Sequence, residues 1–310
     1  MPSDHTPAGT SAAGDIQGRL LVVSLCLLWG ITWPVMKIAL EAIPPLTMRT
    51  LTAGFGAVTL FAVCLVRGRS VRVRTAKAWA HLVIISLFNI VAFSLLSAFA
   101  QVAAATSRVA ILAYTMPIWT VVFAWLMLGE RPTRMQTLAI GLCSVGLMIL
   151  ILPLAAKGAP LGVLMAVGAG VSWAAGTVYV KWARLDADPL GIATWQVTIA
   201  FFVIGAGLFL LDGRLELDAA GASALLATVF TGIVGSGVAY AVWFDIVRRL
   251  PAATASLSIL SSPVVGVVSS VVVLGERPTL ADLIGFALIF AASACVVLTS
   301  PPSAGEVKDR

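Results

Sequence analysis

The side chains of this chain that could contact a ligand are aromatic and uncharged polar ones, not the clustered acids, histidines and thiols of an enzyme site. Neither of the two histidines is placed in a cluster of acids, histidines or a nucleophile with its base at one membrane face, which a membrane enzyme would require. The four cysteines show no CxxC spacing, so neither a disulfide framework nor a zinc site is expected. With no glycine-rich phosphate loop either, the sequence predicts no catalytic residue, no metal and no cofactor.

The composition points to a chain that is dissolved in a bilayer. Only 11% of the 310 residues are charged and 60% are hydrophobic, whereas soluble domains have about 25% charged residues. Apolar runs approach or exceed the roughly 18 residues that indicate a bilayer span. The predicted spans are 20–39, 46–66, 79–100, 104–128, 136–154, 160–181, 189–211, 220–246, 252–274 and 280–299. The sequence therefore predicts an all-α integral membrane protein with ten transmembrane helices.

The net charge of +6 does not indicate a nucleic-acid partner, because its distribution follows the membrane. If the N-terminus is cytoplasmic, most of the 20 Lys and Arg residues fall on the inner segments, including the stretch Arg67 to Lys77. The positive-inside rule then predicts that both the N- and the C-terminus of this multi-pass protein are cytoplasmic. The expected location is a bacterial inner membrane. The expected partners are the lipid bilayer and a small-molecule substrate, and the loops are too short to suggest an obligatory protein partner.

An identical six-residue string occurs twice, as Leu128 to Thr133 and as Leu274 to Thr279. Trp29 and Lys37 are likewise matched by Trp173 and Lys181 at one common offset. These matches indicate a tandem duplication, and because each copy holds five spans, the second copy must be inverted in the membrane. We predict a cytoplasmic tail over residues 1–18, which we expect to be disordered, a first repeat over 19–154, a second over 155–300 and a cytoplasmic tail over 301–310.

The repeated string has the composition of a turn between two helices. Its glycine is expected to close the fourth or ninth helix, and its proline suits the first turn of the helix that follows. We therefore interpret both copies as structural turns without substrate contact.

Several motifs together resemble the EamA unit of the drug/metabolite transporter superfamily. In the first half they are Trp29-Gly30, Pro45 with Arg49, Ala110 through Pro117, and Leu128-Gly129-Glu130-Arg131 with Gln136 and Gly141. In the second half they are Trp173, Lys181, Pro263, Gly275-Glu276-Arg277 and Gly285. The resemblance implies a ten-helix carrier of two EamA repeats with a central cavity and small, often exported metabolites. Within that family the chain looks most like the YddG-type amino-acid exporters.

Substrate sites of inverted-repeat carriers lie near the bilayer midplane, where helices of the two halves face each other. Polar and aromatic side chains near the middle of the predicted spans are therefore the candidates for substrate binding. They are Trp29, Trp33, Asn89, Tyr114, Trp119, Trp173, Thr177, Ser236, Tyr240, Ser258, Ser261 and Ser262. Aromatic packing and interhelical hydrogen bonds are the alternative explanations for each of them.

Two prolines, Pro117 and Pro263, fall near the centres of the fourth and ninth spans. Each removes a backbone donor and frees a carbonyl, so each is a candidate hinge that could line a cavity, with a packing kink as the alternative. Asn89 is matched in the repeat by Ser236, which places polar groups at equal depth in both halves.

Other unusual side chains have simpler explanations in a membrane. Trp79, Trp125, Trp182 and Trp243 lie near predicted cytoplasmic helix ends, where an aromatic belt is expected. Lys37, Arg49 and Arg108 lie toward the outer ends of their spans, where they could attract a carboxylate, although snorkelling to the headgroups is the favoured interpretation.

No carboxylate lies at the centre of a predicted span. Ion-coupled carriers commonly use such an acid as a relay, so we predict a facilitator or exchanger that works by alternating access and is not driven by ATP. The predicted cargo is a small metabolite, an aromatic or neutral amino acid first of all. The alternatives are an exporter of another metabolite or drug class and a multi-pass membrane enzyme.

Overall fold

The computed structural model describes residues 12–155, 161–249 and 252–299. Over these residues the chain forms ten helices: α1 Ala12–Leu40, α2 Pro45–Val66, α3 Ala76–Ala103, α4 Thr106–Leu128, α5 Arg134–Ala155, α6 Leu161–Ala183, α7 Pro189–Leu211, α8 from Ala222 to Arg249, α9 Ala252–Leu274 and α10 Leu280–Thr299. Nine of these helices are long and apolar enough to cross a bilayer, and Ser261–Leu274 adds an apolar stretch in α9. Helix α1 begins at Ala12, inside the predicted tail, while residues 1–11 and 300–310 lie outside the described residues.

The outward faces of the helices carry large apolar side chains. Examples are Val58, Leu65 and Leu210, on α2 and α7, which are 70%, 83% and 84% exposed. In water such a surface would be unfavourable, whereas hydrocarbon is its natural solvent. The prediction of an all-α membrane protein is therefore confirmed.

The two five-helix repeats pack against each other, and equivalent helices of the two repeats make equivalent contacts. Helix α1 packs on α9, and its repeat equivalent α6 packs on α4, while α2 pairs with α7 and α5 pairs with α10. Glycines allow close approach at these crossings: a Cβ on Gly30 would clash with Val265 Cγ1, and one on Gly146 would lie 2.9 Å from Ile289 Cγ1. Small residues at helix contacts are typical of membrane proteins. The predicted pair of inverted repeats is thus present.

Both copies of the repeated string form the predicted turns. Gly129 and Gly275 adopt the left-handed region, with φ of 72° and 67°, and each directly follows the end of its helix, α4 or α9. Glycine adopts this conformation without the strain that a Cβ causes. The expectation that Pro132 and Pro278 occupy the first helical turn is wrong, because each lies two residues before its helix.

A threonine occupies the cap position instead. The Thr133 backbone N–H donates to Gln136 Oε1 at 2.9 Å, and the Gln136 N–H donates to Thr133 Oγ1 at 3.2 Å. Thr279 and Asp282 repeat this reciprocal pair at the start of α10. Such capping boxes satisfy the backbone donors that a helix start leaves unpaired.

Three helices are irregular near their middles. Helix α3 contains the π-helical segment Leu87–Ala92, and α8 contains the π-helical segment Thr231–Val238. Helix α4 is broken into Thr106–Ala113 and Met116–Leu128, so Pro117 lies in the first turn of the second part. Pro263, by contrast, lies inside the continuous helix α9. The repeat equivalents Pro117 and Pro263 therefore have different effects on their helices.

The two ends of the bundle differ in composition. The end formed by the α2–α3, α4–α5 and α6–α7 connections, here called the basic end, carries Arg67, Arg69 and Arg184. There Arg67 Nη1 lies 2.9 Å from Asp245 Oδ1, and Arg69 Nε lies 2.8 Å from Asp188 Oδ2. The other end, called the opposite end, is formed by the α1–α2, α3–α4, α7–α8 and α9–α10 connections.

Candidate functional site

A cavity of about 710 Å³ lies between the two repeats. Helices α1, α2, α3, α4, α6, α7 and α8 all contribute to its wall. At one end it reaches the α6–α7 connection, where Lys181 and Arg184 are exposed. Its deepest residues toward the other end, such as Met36 and Ser97, are buried below the helix ends. The cavity is therefore accessible from the basic end and closed at the opposite end.

Two aromatic pairs form opposing walls of the cavity, and they are repeat equivalents. Trp29 and Tyr240 join α1 to α8, with ring centroids 6.2 Å apart and planes at 79°. Trp173 and Phe93 join α6 to α3, at 5.0 Å and 63°. Edge-to-face contacts of this kind add to the stabilisation that area burial provides. The duplication has thus given the cavity two similar apolar faces.

A third aromatic contact lies deeper in the cavity. Trp33 and Tyr114 have ring centroids 6.4 Å apart, and both side chains are buried. Tyr114 ends the first part of α4, and its carbonyl, freed by the helix break, accepts a hydrogen bond from Ser293 Oγ at 3.2 Å. The break thus places Tyr114 and Met116 on the cavity wall without leaving that carbonyl unpaired.

The π-helical segments bring polar groups to the midplane of the cavity. Asn89 and Ser236, from equivalent segments of α3 and α8, both line it. Asn89 Oδ1 is buried and has no hydrogen-bond partner in the described part of the chain. Gly176 of α6 lies against it, since a Cβ at this position would clash with Oδ1. A buried amide oxygen without a partner is costly. Among the described residues, this oxygen does not form the interhelical hydrogen bond proposed as the alternative.

The closed end of the cavity contains a cation. Arg49 Nη2 donates to Ser97 Oγ at 2.8 Å, whereas Arg49 Nε is buried with no partner among the described residues. The snorkelling interpretation is wrong for all three outer cations, because each finds a partner inside the protein. Lys37 Nζ donates to the Gln101 carbonyl at 3.0 Å, and Arg108 donates twice to the Asp282 carboxylate, at 2.8 Å and 2.9 Å.

The charged residues on the cavity wall are all basic in the described part of the chain: Arg49, Lys181 and Arg184. Lys181 is paired with Glu130, at 2.6 Å, on the exposed rim. A low-dielectric cavity lined by charge of one sign concentrates ligands of the other sign. The described residues also contain no group of three His, Cys, Asp or Glu side chains that could hold a metal ion.

The structure brings together most of the side chains that the sequence singles out. Those on the cavity wall are Trp29, Trp33, Asn89, Tyr114, Trp173, Thr177, Ser236 and Tyr240. Trp119 lies off the wall, donating to Thr115 Oγ1 at 3.1 Å. Ser262 is fully buried and hydrogen-bonded to Tyr114, and Ser261 is exposed. The side chain of Ser258 lies outside the described residues.

Several wall residues were not among the predicted substrate-binding residues, of which Arg49, Gln196 and Trp243 carry the most chemistry. For Arg49 the sequence permits attraction of a carboxylate but favours snorkelling, although an ionisable side chain within a span is by default a functional candidate. Trp243 was assigned to an aromatic belt, but it packs on Trp29 with centroids 5.9 Å apart. No sequence signal distinguishes a belt tryptophan from one that turns inward at the same depth.

Comparisons with known proteins match this architecture. The model of the EamA-like transporter family matches residues 16–152 and 160–298. An uncharacterized transporter of Bacillus subtilis, YvbV, is 28% identical over 90% of this chain and 91% of its own length. A probable amino-acid metabolite efflux pump of Salmonella typhimurium is 25% identical over 87% and 91%. A crystal structure that is 24% identical, and covers 90% of this chain and 96% of its own, superposes with a TM-score of 0.62.

Proposed function

The chain belongs to the EamA-like transporter family, and we propose that it exports small metabolites, aromatic or neutral amino acids first of all, from the bacterial cytoplasm by alternating access. Among the relatives that it resembles is a protein named as a probable amino-acid metabolite efflux pump. The proposed location is the inner membrane, with both termini in the cytoplasm.

The observation that carries this proposal is the cavity between the inverted repeats. Its volume of about 710 Å³ is within the range of small-molecule sites, which are mostly apolar with a few placed polar groups. The aromatic walls suit an apolar side chain, and Asn89, Gln196 and Arg49 supply polar partners. The basic end, where the cavity is accessible, is the cytoplasmic side in the proposed orientation, which is the loading side for export.

We infer a facilitator or an exchanger. A proton relay needs an ionisable group that gains and loses a proton within the membrane, and the described wall residues include no Asp, Glu or His. Exchange of conformation between the two repeats would close the basic end and open the opposite end. In this scheme the substrate gradient alone drives transport.

A counterflow assay in proteoliposomes tests the proposal with a panel of amino acids, nucleosides and sugar phosphates. We expect accumulation of labelled aromatic or neutral amino acids, and loss of it in Trp173→Ala, whose side chain forms one aromatic wall. Trp125→Ala is the matched control, because Trp125 is 51% exposed on the outside of the bundle. Accumulation of nucleosides or sugar phosphates alone would favour the alternative, an exporter of another metabolite class. A strict requirement for a proton gradient would contradict the facilitator mechanism.

A further inference from the structure

The cavity is symmetric in its aromatic walls but not in its charge. Pro45 and Pro189 begin α2 and α7, which are repeat equivalents. Four residues farther on, the first helix has Arg49 and the second has Ala193, and both line the cavity. Because the repeats are inverted, Arg49 lies toward the closed end of the cavity and Ala193 lies toward the basic end. A ligand that interacts with Arg49 must therefore bind with one end toward the closed end.

Arg49 is only partly satisfied by the protein. Of its donors, Nη2 is bonded to Ser97 Oγ at 2.8 Å, and Nε is buried without a partner in the described residues. The described wall of the cavity offers it no carboxylate. A guanidinium has five N–H donors in a planar fork that matches a carboxylate, and leaving buried charged donors unpaired is unfavourable.

The surroundings of Arg49 limit the shape of the ligand. Arg49 lies about one turn after the start of α2, which is at the opposite end of the bundle. Ser97 lies roughly 9 Å before the end of α3 at the same end, at 1.5 Å per residue. Phe93 is one turn nearer the basic end on the same helix, and it packs on Trp173. A carboxylate at Arg49 would thus place a ring about 6 Å away between aromatic side chains.

We propose that Arg49 binds the carboxylate of the substrate, and that the site selects small organic acids with a flat apolar body over the corresponding amines and amides. This inference rests on the proposed function, since an amino acid has the required carboxylate. It also extends that function, because carboxylates without an amino group satisfy the same geometry. Asn89, roughly two turns from Ser97 along α3, lies too far to contact the carboxylate end and faces the distal part of the ligand.

Binding to the purified full-length protein tests this with three probes: L-phenylalanine, 3-phenylpropionate, which lacks the amino group, and phenethylamine, which lacks the carboxylate. Tryptophan fluorescence reports the binding. We expect both carboxylates to bind at least tenfold more tightly than the amine. Arg49→Gln should weaken carboxylate binding by about 10- to 100-fold, the range for hydrogen bonds to charged groups, and leave amine binding within about threefold.

Two further variants separate recognition from folding. Arg49→Lys keeps a cation without the fork, so we expect weaker carboxylate binding with the preference over the amine retained. Arg214→Gln removes an exposed arginine that pairs with Asp218 outside the cavity, and all three probes should bind as before. If Arg49 only joins α2 to α3, Arg49→Gln will lower thermal stability without changing the preference among probes, and the inference fails.

The outcomes distinguish this inference from the proposed function. Equal binding of the amine and the carboxylates, or binding of none of the three probes, would overturn the role of Arg49 even if counterflow of an amino acid is observed. Arg49-dependent binding of 3-phenylpropionate without counterflow of any amino acid would support the carboxylate site and refute amino-acid export.

Discussion

The two ends of the bundle contain equivalent residues in different bonding arrangements. Lys37 and Glu276 lie at the opposite end, and their repeat equivalents Lys181 and Glu130 lie at the basic end. At the basic end the lysine and the glutamate bond to each other, at 2.6 Å, with both side chains more than half exposed. At the opposite end they are apart: Lys37 donates to the Gln101 carbonyl, and Glu276 accepts from the first turn of α4.

The contact of Glu276 joins the two repeats at the closed, opposite end. Its two carboxylate oxygens accept the backbone N–H groups of Thr106 and Ser107, at 2.5 Å and 2.9 Å, which joins the second repeat to the start of α4 in the first. A carboxylate at a helix start is favourable because it caps the free backbone N–H groups and because its negative charge interacts well with the helix dipole. The same duplicated lysine and glutamate are thus separated at the closed end and bonded to each other at the accessible end. Alternating access between inverted repeats requires that the two ends interchange these arrangements.

The largest effect on this comparison is expected at the Arg108–Asp282 pair, beside Glu276 at the opposite end. Asp282→Asn removes the charge partner of Arg108 and weakens the cap of α10. Because Arg108 is 20% exposed, we expect a loss of roughly 2–4 kcal/mol in unfolding free energy, somewhat less than for a fully buried pair. Thermal unfolding in detergent measures it. Asp218→Asn, which breaks an exposed pair with Arg214, is the control and should cost less than about 1 kcal/mol.

A smaller and more specific effect is expected from Glu276→Gln. The neutral amide can accept one of the two backbone donors but loses the charge, a change of about 1–2 kcal/mol against the closed opposite end. A thiol reagent reports opening at Ser107→Cys, in a chain whose four native cysteines are replaced by alanine, because Ser107 is buried at this contact. We expect labelling to become roughly tenfold faster. An unchanged rate would show that Glu276 does not hold this end closed.

The smallest effect, with the opposite sign, is expected from Glu130→Gln. Its bond to Lys181 is exposed and worth under about 1 kcal/mol, so thermal stability should not change. If Glu130 caps the first turn of α9 when the basic end closes, as Glu276 now caps α4, its loss disfavours that state. Labelling at Ser107→Cys should then slow by up to about threefold. Faster labelling in both glutamate variants would break the comparison between the two ends.

The sequence was sufficient for the fold because the fold depends on composition and repetition. Apolar runs locate spans wherever lipid is the solvent, and the duplicated string with its left-handed Gly129 and Gly275 shows where one span ends and the next begins. For the site, only its depth in the membrane could be predicted from the sequence. Trp29 and Trp173 were selected because they lie near the span centres, and they reach the cavity, as do most of the other residues selected by depth.

The sequence did not predict which side of each helix faces the cavity, and therefore which of the residues at the right depth line it. Trp119 and Tyr114 both lie near the middle of α4, on either side of Pro117. Tyr114 lines the cavity, whereas Trp119 does not. The hydrogen-bond partner of Arg49, Ser97, belongs to another helix, and no local sequence pattern records that contact. The π-helical segments were not predicted either, because such segments are rare and lie inside otherwise α-helical runs.

The paired π-helical segments also hold information about the history of the chain. Leu87–Ala92 and Thr231–Val238 occupy equivalent places in the two repeats, so a single origin in an ancestral five-helix unit requires one event, whereas separate origins require two. By the same logic, the broken α4 and the continuous α9 diverged after the gene was copied. Two copies of one unit are identical when they are first made, so the Arg49–Ala193 difference arose after the duplication.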